Sequence, residues 1–287
     1  MCPAPTIARS AEELRSAVAG WQREGQRVGF VPTMGALHEG HLSLVRIATQ
    51  QCERCVVSIF INPKQFAAHE DLDTYPRDEA SDVEKLARLN TDLIYMPSVD
   101  SIYPPGFSTR VEVDGLTGVL CGKSRPHFFT GVATVVAKLL IQCLPDIAVF
   151  GEKDYQQLLV VRQMVRDLDI PVEIVGGPII REEDGLAMSS RNAYLTKAER
   201  KLAPMLHATI SRMAAAIGGG ASIREELAKA RSALTKAGFV IDYLEVRDAE
   251  TLESVADAAQ RSARIFAAAL LGKTRLIDNV PVPRSRG

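Results

Sequence analysis

Short apolar runs alternate with helical patterns across the first two-thirds of this 287-residue chain, and this alternation constrains the fold most. Runs typical of buried strands occur at residues 27–32, 55–61, 92–96, 147–150 and 172–175. Apolar residues recur at helical spacing between them, over residues 42–50, 80–89, 132–143 and 155–168. Because strands that alternate with helices form parallel sheets covered by helices, the sequence predicts an α/β fold.

The pattern changes after about residue 180. Beyond it the sequence predicts two long amphipathic helices and then two strands, at residues 197–217, 223–237, 243–247 and 264–271. Helices followed by strands are typical of a separate α+β domain. We therefore expect a Rossmann-like parallel-sheet domain at residues 1–180 and a smaller α+β domain at residues 181–287.

The charge balance excludes some classes of protein. Lys and Arg number 34 and Asp and Glu number 35, which leaves no basic surplus for neutralising nucleic-acid phosphates. The apolar stretches are shorter than the roughly 18–20 residues that span a bilayer, and the first residues lack a signal-peptide pattern. We therefore expect a soluble cytoplasmic protein without nucleic-acid or membrane partners.

The cysteines include one C-x-x-C pair, Cys52 and Cys55, which raises redox and zinc alternatives. The pair precedes a predicted strand, whereas a redox pair of the thioredoxin type opens a helix after a strand. A structural zinc site needs two further ligands at similar spacing, and Cys121 and Cys143 have no close partner of that kind. The pattern favours structural cysteines.

The segment PTMGALHEGH, at residues 32–41, follows a predicted strand and leads into a predicted helix. His38 and His41 are three residues apart, so both can lie on one side of a first helical turn. A helix N-terminus attracts phosphate, and histidines there can offset the charge that develops on it. Histidine pairs at this spacing are more often plain surface residues, but the strand–turn–helix context favours a ligand role. The turn resembles the H-x-G-H signature of the nucleotidylyltransferase superfamily, which implies attack on a nucleotide α-phosphate.

Three further segments place polar side chains at the ends of predicted elements. FINPKQF, at residues 60–66, brings Asn62 and Gln65 to the end of the second strand, where parallel sheets bind ligands. GEKDYQQ, at residues 151–157, presents Lys153 one helical turn before Gln157. MSSRN follows the last predicted strand, and its hydroxyls and guanidinium are phosphate donors. Taken singly, a polar strand-end turn explains the Asn62–Gln65 segment equally well, and a helix-capping serine pair explains MSSRN equally well.

Together with DLDTYPR at residues 71–77, these segments resemble the pantoate–β-alanine ligase family in order and approximate spacing. The resemblance covers nearly the whole chain and is weakest over residues 221–287. It implies ATP-dependent condensation of (R)-pantoate with β-alanine through a pantoyl adenylate, with release of AMP and pyrophosphate. It also implies Mg²⁺ bound mainly through the ATP phosphates, and a homodimer.

The resemblance also implies roles for individual residues. His41 would donate a proton toward the leaving pyrophosphate, and catalysis would further involve His38, Lys153 and Arg191. ATP-binding roles fall on Met34, Gly35, Ala36, Leu37, His38, Glu39, Gly40, His41, Gly151, Glu152, Lys153, Asp154, Ile180, Met188, Ser189, Ser190 and Arg191. Pantoate- and β-alanine-binding roles fall on Gln65, Gln157, Asn62, Met34, Val132 and Val136.

One stretch departs from the family pattern. The family reads R-P-G-H-F before G-V, whereas His127 and Phe128 stand here at the glycine and histidine positions. No role is therefore transferred to His127. Residues 67–77, polar and charged between a strand and a helix, are the predicted lid over a water-sensitive adenylate; an ordinary strand–helix loop is the alternative.

Two other functions stay open on the sequence alone. Another nucleotidyltransferase with the H-x-G-H turn would form a dinucleotide product and no free AMP. A non-catalytic nucleotide-binding module would bind ATP and release no pyrophosphate. The size of the chain and the absence of a basic tRNA-binding domain disfavour a class I tRNA synthetase.

Overall fold

The computed structural model describes residues 4–66, 72–256 and 261–283, and the chain divides into two compact units. The first unit comprises Met1–Asp114, Arg125–Glu152 and Gln157–Pro178. The second comprises Gly115–Ser124, Lys153–Gln156 and Ile179–Gly287. The second unit thus takes in two short segments from the first two-thirds of the sequence.

The first unit contains a six-stranded parallel sheet in the order β1-β4-β3-β2-β5-β6. Its strands are β1 (Thr6–Ala8), β2 (Val28–Thr33), β3 (Arg54–Ile59), β4 (Leu93–Tyr95), β5 (Ile147–Gly151) and β6 (Glu173–Gly177). This sheet confirms the predicted Rossmann-like α/β fold. The sequence missed β1, since a three-residue edge strand leaves too short a pattern to recognise.

Helices flank the sheet. They are α1 (Ala11–Arg23), α2 (Glu39–Gln51), α3 (Glu79–Ala87), α4 (Val99–Ile102), α6 (Phe128–Cys143) and α7 (Tyr155–Asp167), with α5 (Leu120–Ser124) in the second unit. The core is formed by fully buried strand residues such as Phe30, Ile94 and Ile147. Helix α6 is apolar on most sides and is buried along most of its length, as expected of a helix in the interior.

The strand order creates a topological switch at β2. The chain runs from β2 to β3 and β4 on one side, and β5 lies on the other side of β2. Ligands of open α/β sheets bind beyond the carboxyl ends of the strands at such a point. The HEGH turn follows β2, the Asn62–Gln65 segment follows β3, and Glu152 follows β5, so three adjacent strand ends carry predicted site residues.

The second unit has a three-stranded antiparallel sheet with β8 in the centre. Its elements are β7 (Phe239–Asp248), β8 (Ala263–Leu271), β9 (Thr274–Pro281), α8 (Lys197–Leu202), α9 (Met205–Gly218) and α10 (Ile223–Lys236). Apolar side chains of α9, α10 and the sheet form one buried cluster, which includes Ile210, Leu234 and Ile265.

The side chain of Gln156 ties two short segments together within the second unit. Its Nε2 donates to the carbonyl oxygens of Leu116 and Val119 at 2.8 Å each. Its Oε1 accepts from the backbone N–H of Cys121 at 3.1 Å. These bonds satisfy a side chain that is only 6% exposed, and they fix the backbone of residues 115–124.

One prediction about local structure was wrong. The single helix expected over residues 197–217 is two helices, because Pro204 lacks an N–H and its ring disrupts a continuing helix. Strand β9 was not predicted, since buried polar residues Asp278 and Asn279 interrupt its apolar pattern.

The cysteines that the structure describes, Cys52, Cys55, Cys121 and Cys143, are free and buried. Burial raises the pKa of the Cys52 and Cys55 thiols, so both stay protonated at neutral pH. None of the described helices is long and apolar enough to cross a membrane.

Candidate active site

His38 and His41 together cap the N-terminus of α2. His38 is the N-cap residue, and its Nδ1 accepts the backbone N–H of Gly40 at 3.1 Å. The Nδ1 of His41 accepts the backbone N–H of His38 at 3.4 Å, and the two ring centroids are 4.1 Å apart. Because both Nδ1 atoms accept hydrogen bonds, each neutral ring carries its proton on Nε2. The turn therefore presents two imidazole N–H donors beside a helix N-terminus.

The backbone before this cap adopts an unusual conformation. Gly35 has φ +81° and Ala36 has φ +51°, both in the left-handed region that glycine favours. The Oγ1 of Thr33 accepts the N–H of Gly35 at 3.2 Å and donates to the carbonyl oxygen of Ser58 at 2.8 Å. This pair of bonds ties the start of the turn to the end of β3.

A buried carboxylate on α3 holds the same turn. Asp82 is 2% exposed, and its two oxygens accept the N–H groups of Ala36 and Leu37 at 2.8 Å each. Burial raises the pKa of Asp82, and these two hydrogen bonds partly offset that effect. Lys85, one turn further along α3, donates to the carbonyl oxygen of Leu37 at 2.9 Å. Helix α3 thereby fixes the left-handed turn that leads into the HEGH cap.

Asn62 organises the turn after β3. Its Oδ1 accepts the N–H of Lys64 at 3.2 Å and the hydroxyl of Tyr103 at 2.8 Å. Its Nδ2 donates to Oε1 of Gln65 at 2.8 Å and to the carbonyl oxygen of Gly131 at 3.1 Å. These four bonds use the full capacity of the amide, and one of them orients the Gln65 side chain.

Helix α6 approaches this turn at Gly131. A Cβ at this position would lie 2.2 Å from the carbonyl oxygen of Lys64, so only glycine fits without displacement. Arg125, just before α6, donates to the carbonyl oxygen of Gln65 at 3.0 Å. Val132 and Val136 are buried on the same helix at 1% and 5% exposure. Gln65 and the two valines thus belong to one packed substructure.

The remaining predicted residues of the first unit are Met34, Glu39, Gly151, Glu152 and Gln157. Glu39 is the first residue of α2 and forms an ion pair with Arg46. Met34 follows β2 and Gly151 ends β5, so they lie at neighbouring strand ends. Gln157 lies half-buried in the first turn of α7. His127 is the N-cap residue of α6 and makes no side-chain capping hydrogen bond.

Lys153 and Asp154 belong to the second unit, in a single 3₁₀ turn over Glu152–Asp154. The Lys153 side chain is 21% exposed, and its Nζ lies 3.7 Å from Oδ2 of Asp154. The separation is that of a loose ion pair, and such a pair at partial exposure contributes little to stability. Lys153 is thus only loosely paired with Asp154.

The MSSR segment also lies in the second unit, after a short hairpin. Met188 donates its N–H to the carbonyl oxygen of Ile180 at 3.0 Å, beside an antiparallel bridge between Arg181 and Ala187. Ser189 caps the 3₁₀ turn Ser190–Tyr194 by accepting the N–H of Arg191 at 3.3 Å. The hairpin thus fixes the backbone that carries both serines and the arginine.

The predicted site residues are divided between the two units. His38, His41, Asn62, Gln65, Val132, Val136 and Gln157 lie in the first unit, and Lys153, Asp154, Ile180 and Met188 to Arg191 lie in the second. Sequence reasoning missed Asp82 and Gly131. An acidic residue in the first turn of a helix is common and gives no signal, and Gly131 lies within an apolar helical pattern.

An α/β sheet with paired histidines capping the helix after its central strand defines an enzyme of the H-x-G-H nucleotidylyltransferase class. The sequence profile described as pantoate-beta-alanine ligase matches residues 6–281. A pantothenate synthetase from Rhodospirillum rubrum is 55% identical over 277 residues, covering 96% of this chain and 98% of that protein. One from Caulobacter vibrioides is 56% identical over 281 residues, covering 97% and 99%. The chain therefore belongs to the pantoate–β-alanine ligase family.

Solved structures of the same family have a similar fold. The pantothenate synthetase from Thermus thermophilus has a TM-score of 0.91 at 47% identity, covering 97% of this chain and 99% of that chain. The pantoate-beta-alanine ligase from Francisella tularensis, complexed with beta-gamma ATP and beta-alanine, has a TM-score of 0.81 at 36% identity, covering 97% and 98%. The chain is thus an enzyme, a ligase of pantoate and β-alanine.

Proposed function

We propose that this enzyme forms pantothenate in two steps through a pantoyl adenylate held by the residues described above. The observation that carries the proposal is the His38–His41 cap at the N-terminus of α2, directly beyond the central strand β2. A helix N-terminus with two imidazole N–H donors suits an α-phosphate under attack.

In the first step, a carboxylate oxygen of pantoate attacks the α-phosphorus of ATP. The bond from that phosphorus to the bridging oxygen breaks, and pyrophosphate leaves with the electron pair. Two anions must meet, so positive charge is needed: Lys153 and Arg191 bind phosphate oxygens, and His38 offsets charge on the α-phosphate. His41 donates a proton toward the leaving pyrophosphate.

Pantoate is bound by Gln65 and Gln157, whose neutral amides can pair with hydroxyl and carboxylate groups together. Met34, Val132 and Val136 surround its geminal methyl groups. Asn62 acts through Gln65, because its own amide is saturated by protein groups. In-line placement of acid and nucleotide replaces a bimolecular encounter.

In the second step, the amine of β-alanine attacks the acyl carbon of the adenylate. The acyl–oxygen bond breaks, AMP leaves, and the new amide nitrogen loses a proton. Water would hydrolyse the adenylate, so a cover is needed. The proposed lid is residues 67–77, of which 67–71 lie outside the described residues.

Mg²⁺ is proposed to arrive bound to the ATP phosphates, as is common for this ion. Two acidic side chains at the HEGH turn already have protein partners: Asp82 accepts two backbone N–H groups, and Glu39 pairs with Arg46. Neither is therefore assigned to Mg²⁺, which fits binding of the ion through the ATP phosphates. Among the residues that the structure describes, no group of three His, Cys, Asp or Glu side chains is arranged to hold a metal ion.

Three further features complete the proposal. The parallel-sheet region, residues 1–180, binds pantoate and nucleotide, and residues 181–287 carry the MSSR loop. The enzyme works in the cytoplasm as a homodimer. The remaining residues assigned to ATP are Met34, Gly35, Ala36, Leu37, Glu39, Gly40, Gly151, Glu152, Asp154, Ile180, Met188, Ser189 and Ser190.

Half-reaction measurements with α-labelled ATP test the proposal. We expect pyrophosphate release that depends on pantoate alone, followed by AMP release that depends on β-alanine. A labelled dinucleotide product, or ATP binding without pyrophosphate release, would contradict it. Omission of β-alanine should leave a labelled adenylate bound to the enzyme.

A further inference from the structure

A residue near the end of the described chain contacts the turn that carries Lys153. Asn279 lies in β9, is 2% exposed, and donates from Nδ2 to the carbonyl oxygen of Lys153 at 3.0 Å. Both residues belong to the second unit, although 126 positions separate them in sequence. This bond joins the C-terminal sheet directly to the lysine backbone.

Arg264 fixes the orientation of the Asn279 amide. Its Nη1 donates to Oδ1 of Asn279. A guanidinium can only donate and a carbonyl oxygen can only accept, so the amide must turn its oxygen to Arg264 and its NH₂ to Lys153. An aspartate at this position would place a carboxylate oxygen against the Lys153 carbonyl oxygen.

A second contact supports the same turn. The Arg264 guanidinium lies 3.9 Å from the centroid of the Tyr155 ring, and the Phe266 ring lies 5.9 Å from it. Phe266 is the register partner of Asn279 across β8 and β9. The sheet therefore contacts the chain at Lys153 and at Tyr155, on either side of Asp154.

We propose that Asn279 is a positioning residue for Lys153, which it serves by holding the backbone from which the lysine side chain extends. The inference rests on the proposed role of Lys153 toward ATP phosphates. A cation that stabilises a transition state must be held accurately, and misplacement by about 1 Å can cost on the order of 10²-fold in rate. Arg264 helps to hold the same backbone, because its guanidinium contacts both Asn279 and the Tyr155 ring.

The test compares Asn279→Ala and Asn279→Asp with Val280→Ala in the full-length enzyme. Val280 is the next residue of β9 and is buried in the apolar cluster formed by α9, α10 and the three-stranded sheet. Its side chain is not among those that hold the turn, so this variant controls for general loosening of the strand. Hydrogen exchange should increase at residues 152–156 in both Asn279 variants and stay unchanged there in Val280→Ala. Equal exchange in all three variants would overturn the proposal.

Single-turnover pyrophosphate release at saturating ATP gives the second readout. Asn279→Ala should slow adenylation about tenfold to a hundredfold, whereas in a Lys153→Ala background it should slow adenylation less than twofold, since the group it positions is gone. Equal effects in both backgrounds would show a merely structural role and overturn the proposal. If Asn279→Ala does not fold, Asn279→Asp is measured in both backgrounds instead.

The two proposals fail in different ways. If Lys153→Ala alone leaves adenylation unchanged, the phosphate-binding role of Lys153 is wrong. The exchange measurement does not depend on turnover, so it still decides whether Asn279 holds the turn.

Discussion

The backbone N–H of His38 donates to the Nδ1 of His41, while the Nδ1 of His38 accepts the N–H of Gly40. The hydrogen bonds that cap helix α2 are therefore the same bonds that orient the two imidazole rings. Because both Nδ1 atoms accept hydrogen bonds inside the turn, the Nε2–H groups are the donors that we propose for a phosphate. The same side chains that stabilise the N-terminus of α2 carry the proposed chemistry.

This double use makes it possible to separate capping from catalysis. Asparagine is a good N-cap residue and glutamine suits the N3 position of a capping box, so His38→Asn and His41→Gln should keep α2 capped. We expect each to slow pantoate-dependent pyrophosphate release by about 10²–10⁴-fold, with unfolding midpoints close to that of the wild type. His38→Ala, which also loses the cap, serves as the comparison. Near-normal adenylation in both conservative variants would refute the assignment.

Asp82 offers a test of the backbone turn. Asp82→Asn leaves one of the two N–H groups of Ala36 and Leu37 without an acceptor, which should cost about 1–3 kcal/mol of unfolding free energy. Adenylation should also slow, since the turn leads directly into His38. Urea unfolding and single-turnover kinetics measure the two effects. Glu79→Gln, an exposed change on the same helix, is the control and should alter neither.

Gly131 tests the packing behind Gln65. The Cβ of Gly131→Ala would collide with the Lys64 carbonyl oxygen and displace the Asn62–Gln65 turn. We expect KM for pantoate to rise at least tenfold, with little change in KM for ATP. A tenfold rise corresponds to a loss of about 1.4 kcal/mol of binding free energy. Gly20→Ala, in the middle of α1 with open space around it, is the matched control and should be slightly stabilising. An equal loss of affinity for both substrates would contradict this role.

Arg191 tests the MSSR loop. Interactions that strengthen as pyrophosphate leaves raise turnover more than they tighten ground-state binding. Arg191→Ala should therefore lower the maximal adenylation rate more than the affinity for ATP, and Arg191→Lys should restore only part of it, because lysine lacks the planar fork. Lys197→Ala removes a nearby exposed charge and should have little effect. Weakened ATP affinity at an unchanged adenylation rate would assign the loop to binding alone.

Asp278 makes stability depend on acidic pH. Burial disfavours its charge, but two hydrogen bonds from Arg181, at 2.7 and 2.9 Å, and one from His207, at 3.4 Å, outweigh burial and hold the pKa of Asp278 below its usual value. A lowered folded-state pKa stabilises the fold above the unfolded value of about 3.9, and this stabilisation is lost as pH falls further. We expect Asp278→Asn to cost about 3 kcal/mol at neutral pH.

Urea unfolding at a series of pH values measures this difference. The gap in unfolding free energy between wild type and Asp278→Asn should be widest above pH ~4 and should narrow below it. A gap that stays constant or widens in acid would show that ionisation of Asp278 does not stabilise the fold.

The sequence by itself determined the parallel sheet and the places where its chemistry is concentrated. Strand and helix patterns depend on neighbouring residues, so the alternation through β2, α2 and β3 could be recognised locally. The HEGH turn and the Asn62–Gln65 segment were located for the same reason. Pro204, which divides α8 from α9, is also visible in the sequence, but the apolar pattern on both sides of it favours one continuous helix.

Only the tertiary structure decided which distant groups support these segments. Asp82 reaches the N–H groups of Ala36 and Leu37, and Asn279 reaches the carbonyl oxygen of Lys153, across 46, 45 and 126 positions of sequence. A buried carboxylate or amide has a role only once folding brings a particular backbone group within hydrogen-bond distance. No local pattern contains that information, because it depends on how separate elements pack.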